Sequence, residues 1–141
     1  LTKEEAARVK ALKPQTEDAD ADVFQELFYD LMNSIVSRDL MAALECGEAM
    51  AALDSREKQK AFCGFAGECI RKIFMIQQNM PQIAGVEEGE QEFYASMAQR
   101  RGKEFCSKSM TNIEKVVAMI DRNVNSKILF CDLVNRMFLS I

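Results

Sequence analysis

The chain is 141 residues long, 48% apolar and 28% charged, with a net charge of −4 and no histidine. That length suits one domain able to bury about two-thirds of its unfolded surface. The charge excludes a domain that holds nucleic acid by its overall field, since phosphate binding rests on clustered Lys and Arg, and the missing histidine excludes Ser-His-Asp and Cys-His nucleophile arrangements as well as a Glu-x-x-His di-iron bundle.

No apolar run approaches the ~20 residues that cross a bilayer, and no secretory signal is present. There is no phosphate loop and no dinucleotide fingerprint, so no cofactor or nucleotide site is expected, and no metal site. The cysteines, Cys46, Cys63, Cys69, Cys106 and Cys131, contain no C-x-x-C pair. They read as small hydrophobes kept reduced in the cytoplasm. Cys106, between Lys103 and Lys108, is the one candidate for a reactive thiol. The start at Leu1 rather than Met reads as a piece of a longer protein.

Leu1 to Lys13 reads as a leader helix, with Thr2 and Glu5 as its capping box and Pro14 as its stop. Gln15 to Asp22 carries Glu17, Asp18, Asp20 and Asp22 and reads as an acidic linker. It lacks the Gly and the distant Glu of a calcium loop, and its charges suit the start of the next helix. Residues 1–22 are therefore expected as leader and linker, and 23–141 as one helical domain. Val23 to Ser37 is amphipathic, with Phe24, Leu27, Phe28, Leu31, Met32 and Ile35 on one face. A corner at Arg38-Asp39 precedes an Ala-rich second helix, Leu40 to Leu53.

Asp54 with Glu57 resembles a capping box opening a third helix, about Ser55 to Asn79. Its core stripe is expected through Ala61, Phe62, Phe65, Ala66, Cys69, Ile70, Ile73 and Ile76. Gly64 and Gly67 lie on the far side, where each costs ~1 kcal/mol against Ala; they fit either close approach by another chain or an unconstrained exposed face. Pro81 to Gly89 reads as a loop. A fourth helix carries Phe93, Tyr94 and Met97 and ends at Gln99-Arg100-Arg101-Gly102-Lys103. That basic end suits a helix C-terminus better than a DNA footprint.

Lys103 to Ser109 is expected to bridge to a closing pair of helices. The first opens with Thr111 and Glu114 as a capping box and places Ile113, Val116, Val117 and Ile120 at helical spacing. Asn123 can end it in a left-handed conformation, and Asn125 can cap the next. On the last helix Phe130, Cys131, Leu133, Val134, Met137, Phe138 and Ile141 share one face. Ile128, Leu129 and Leu139 fall among the polar residues instead. A helix apolar on more than one side touches several neighbours or is shared with a partner. With no period-two alternation anywhere, the fold class is all-α, a single bundle of about five main helices.

The segment from Ile120 to Met137, with Arg122, Asn123, Asn125 and Lys127 at its corner, resembles the end of bacterial DNA polymerase III clamp-loader subunits. There a helix closes on an R-N-x-N-P-K-hydrophobic corner and a final apolar helix ends the collar domain. The delta prime type is most similar, the gamma/tau type next. Ser126 stands where many relatives have proline, and serine is acceptable at a first helical position. A second similar run, Ser37 to Met75, resembles the middle collar helices, and the resemblance covers about Val23 to Ile141.

The resemblance implies a collar domain that holds the pentameric sliding-clamp loader together during DNA replication. ATPase-type domains would lie before Leu1. The fragment itself would be no enzyme and would bind no nucleotide. Its partners would be other clamp-loader subunits, with the sliding clamp and primed DNA reached only through the parent complex. The expected subunit interface comprises Arg122, Asn125, Lys127, Ile128, Asp132, Asn135, Arg136 and Leu139. The residues alone also allow a different function, a stand-alone helical domain that binds a small apolar ligand in an internal pocket.

Overall fold

A computed structural model describes residues 14–78, 90–100 and 103–140. The expected leader helix, the Pro81–Gly89 loop and the Gly102 stop lie outside the described residues. Within them the chain is all-helical, as expected, with six helices rather than about five. These are α1 Pro14–Val36, α2 Leu40–Ala51, α3 Arg56–Gln77, α4 Gln91–Arg100, α5 Lys103–Ile120 and α6 Ser126–Leu139.

Helix α1 is longer than the pattern suggested. The stretch expected as an acidic linker forms its first turns. Pro14 opens this helix, because proline lacks only an N–H that the first turn leaves unbonded in any case. A second expectation also fails. Thr111 does not cap a helix but sits inside α5, where its hydroxyl donates to the Ser107 carbonyl at 3.1 Å. Residues 103–109, expected as a bridge, are its opening turns.

Two corners share one device. Arg38 adopts φ 58° and Asn123 φ 61°. At the first corner the Arg38 N–H donates to the Ile35 carbonyl at 3.2 Å and the Asp39 N–H to the Ser34 carbonyl at 2.9 Å. At the second the Asn123 N–H donates to Ile120 at 3.3 Å and the Val124 N–H to Met119 at 3.4 Å. Each pair ties off carbonyls that the helix end would leave bare. A cap then opens the next helix: Asp39 accepts from the Ala42 N–H and Asn125 from the Ile128 N–H, both at 3.1 Å. The cap of α3 is Ser55, accepting from the Lys58 N–H at 3.1 Å, one residue later than the expected Asp54. Asp54 instead pairs with the Lys58 ammonium at 3.1 Å.

The core joins Phe24, Phe28, Leu31, Met32 and Ile35 of α1 to Phe62, Cys69, Ile70 and Ile73 of α3, Tyr94 of α4, Phe105 and Ile113 of α5, and Phe130, Leu133, Val134 and Met137 of α6. Phe24 meets Phe62 edge-on at 5.6 Å between ring centroids, an arrangement that rings prefer to stacking face to face. Ala61, expected in the stripe of α3, is exposed. The tightest crossing is α2 on α6. A Cβ added at Gly47 would stand 3.2 Å from Val134 Cγ2 and 3.3 Å from the Phe130 carbonyl oxygen.

Gly47→Leu should lower stability by about 3 kcal/mol, because that crossing has no room for a side chain. Arg38→Gly should raise it by about 1 kcal/mol by removing the left-handed strain. Urea unfolding of both variants against the unaltered chain measures the two shifts.

Candidate interaction surface

The corner between α5 and α6 is held from below. Gln59 of α3 is buried. Its Nε2 donates to the carbonyls of Ala51 at 3.2 Å and Leu53 at 3.4 Å, so it satisfies the end of α2. Its Oε1 accepts from the Ser126 hydroxyl at 3.1 Å, which anchors the first residue of α6. A proline at 126 could not make that bond. Lys60 of α3 pairs with Asp121 at the same corner.

All eight residues expected at the interface are exposed. The structure does not group them as one. Ile128, Asp132, Asn135 and Leu139 follow one line along α6, within about 60° on a helix of 100° per residue. That line is opposite the buried Phe130, Leu133, Val134 and Met137. Arg136 borders it and donates from Nε to Asp132 at 2.8 Å. Lys127 points about 100° away and pairs with Glu48 of α2 at 3.5 Å. Asn125 is spent on capping, and Arg122 belongs to the corner rather than to the helix. The apolar members are bare: Ile128 is 66% exposed and Leu139 74%. Leu129 is half-buried against the core.

The pattern missed two features. Met41 at the start of α2 is 70% exposed. Helix α2 runs antiparallel to α6, since Ala51 and Ser126 share Gln59 while Gly47 meets Phe130 and Val134; Met41 therefore sits toward the end of α6 that carries Leu139. The bond between Gln59 and Ser126 was equally invisible, because it links residues 67 apart. Gly64 and Gly67 floor a groove of about 360 Å³ between α3 and α5 that also includes Met110, Ile113 and Val117. A Cβ at either glycine meets nothing within 4 Å, so no part of the described chain requires them.

Cys106 does not offer an exposed thiolate. It is fully buried, its Sγ–H donates to Gln77 Oε1 at 3.5 Å, and burial pushes its thiol up to about 11. Burial likewise pushes Cys63 up to about 12 and Cys69 to about 11. Among the described residues no group of three or more His, Cys, Asp or Glu could hold a metal ion, and no helix is long and apolar enough to cross a membrane. The side chains of the basic cluster Arg100, Arg101 and Lys103 lie outside the described residues. Comparison with family models, with curated proteins and with solved structures gave no match.

The thiols define a pH response. Unfolded thiols ionise near 9.0, while Cys69 and Cys106 keep their protons to about 11 and Cys63 to about 12 in the fold. Between those values the unfolded chain binds fewer protons than the folded one, so stability should fall as pH rises above 9. Lys58 and Lys60, held above their ordinary value by hydrogen bonds to Asp54 and Asp121, act in the same direction. The urea midpoint measured from pH 8 to 11 should decline steadily, and a thiol reagent at pH 8 should label half-buried Cys131 before Cys63, Cys69 or Cys106.

Proposed function

We propose that this domain is an assembly module, the collar domain of a bacterial clamp-loader subunit of the delta prime or gamma/tau type. It holds its neighbours through the outer line of α6. The observation that carries the reading is the placement of Ile128 and Leu139 on one exposed line of the terminal helix, with Asp132, Asn135 and Arg136 around them. The structure uses the rest of that helix for its own core, so these side chains are available to a partner. Burying a large aliphatic side chain is worth about 1.5–3 kcal/mol. Two such anchors, ringed by polar groups, match the anatomy of an interface with a dry centre and a wet rim. The resemblance of the Asn123–Asn125 corner to clamp-loader collars supplies the specific assembly, and catalysis would belong to other domains of the parent protein, acting on the sliding clamp at primed DNA in the cytoplasm.

A small apolar ligand is the second reading. The α3–α5 groove favours it, being walled largely by apolar residues and within the size range of ligand sites. Gly67→Leu would fill that groove and leave α6 untouched.

Assembly is tested by co-expressing the chain with the ATPase-type clamp-loader subunits of the same organism and weighing the complexes by light scattering. Ile128→Asp and Leu139→Asp should each weaken assembly at least about 30-fold, the loss expected at an interface anchor. Helix content and melting should stay within about 0.5 kcal/mol of the unaltered chain, as for other surface changes. Unfolding of Ile128→Asp would place that residue in the intramolecular core and refute the assignment. Full assembly by Gly67→Leu together with loss of assembly by Ile128→Asp would reject the ligand reading of the groove as the basis of function.

A further inference from the structure

We propose that the groove between α5 and α6 receives an acidic amphipathic helix of the neighbouring subunit. This deepens the assembly reading and rests on it. Helices α5 and α6 form a hairpin around the corner at 121–125, and two adjoining depressions of about 250 and 440 Å³ between them share Asn112, Lys115 and Arg136. Together they make one trough. Its corner end is walled by Met119 and Leu129, and its far end by Leu139, already on the proposed contact line. Lys108 to Met119 spans about 16 Å at 1.5 Å per residue, the length of three helical turns.

The charge lining the trough is mainly positive. Lys108, Lys115 and Arg136 line it against a single carboxylate, Asp132, in a chain whose net charge is −4. Arg136 is paired with Asp132 at 2.8 Å and Lys108 with Glu104 at 3.4 Å. Both are exposed pairs within one helix, worth little and easily exchanged. Lys115, midway along, forms no ion pair among the described residues. Lys115 and Arg136 in the middle, with Met119 and Leu129 at one end and Leu139 at the other, match a helix that presents Glu or Asp in the middle turn and aliphatic side chains on either side. A nucleic-acid backbone is charged along its whole length and would leave Met119, Leu129 and Leu139 facing phosphates.

The test uses the full chain and two stapled helical peptides of about three turns. They are identical, with Leu at both ends, except that the inward-facing central positions are Glu in one and Lys in the other. Fluorescence anisotropy should show the Glu peptide binding at least about tenfold tighter, with the advantage shrinking as salt is raised. Lys115→Glu, at an exposed position that the fold does not use, should invert the preference. Equal binding of the two peptides, binding of neither, or displacement of the Glu peptide by a short DNA duplex overturns the proposal. Lys115→Glu also enters the assembly experiment. If it joins the clamp-loader subunits as tightly as the unaltered chain, this inference fails while the assembly reading stands. If the unaltered chain joins no subunit, the assembly reading fails, and the peptide titration still decides the groove.

Discussion

Helix α6 lies as close to α2 as it does because residue 47 has no side chain. The backbone of one helix passes the other so closely that a single Cβ would press on Val134 and on the Phe130 carbonyl. That seat fixes the rotation of α6 about its own axis. Phe130, Leu133, Val134 and Met137 are turned into the core, and Ile128, Asp132, Asn135 and Leu139 are turned out. A wider crossing would let α6 roll, and which line faced outward would no longer be determined. Close packing makes interiors stiff in this sense: they accept one arrangement of neighbouring side chains rather than a range.

The same seat is secured at its end by polar groups. Gln59 uses both ends of its amide, donating to the last carbonyls of α2 and accepting from Ser126. Removing it would leave the Ala51 and Leu53 carbonyls and the Ser126 hydroxyl without this partner, and an unmet buried polar group costs about 1–3 kcal/mol. Lys127 and Glu48 add an exposed ion pair between the same two helices, which contributes less because water screens it. Rotation and axial position of α6 are thus set by different kinds of contact. Packing fixes the first, and a hydrogen-bonded amide fixes the second.

The division of side chains is the basis on which the surface of α6 enters the proposed assembly. Cys106, the one candidate for a reactive thiol, is turned inward and holds its proton. Among the described residues the barest large apolar side chains are Met41, at the start of α2, and Ile128 and Leu139, on one line of α6. Scattered apolar residues on a surface need no explanation. Two on the same exposed line of a terminal helix, beside a trough with unbalanced positive charge, form a patch with both shape and sign. In the proposed assembly, that combination would select among partners by charge while the apolar groups supplied the affinity.

Much of this architecture was legible in the residues. Helical class, the outward position of Ile128 and Leu139, the left-handed Asn123 and the cap at Asn125 all rest on interactions within four residues along the chain, and periodicity and capping rules read those directly. The failures were ambiguities of the same local code. Pro14 can stop one helix or start another, and a Thr with a Glu three residues on can cap a helix or lie within it, its hydroxyl bonded to the preceding turn. Which occurs depends on whether the flanking turns are buried against other helices. The pairing of Gln59 with Ser126, the clearance at Gly47, the diversion of Lys127 to Glu48 and the trough of Lys108, Lys115 and Arg136 were decided only by the tertiary structure. Each joins residues on different helices, and the distance between two helices is not written in the period of either.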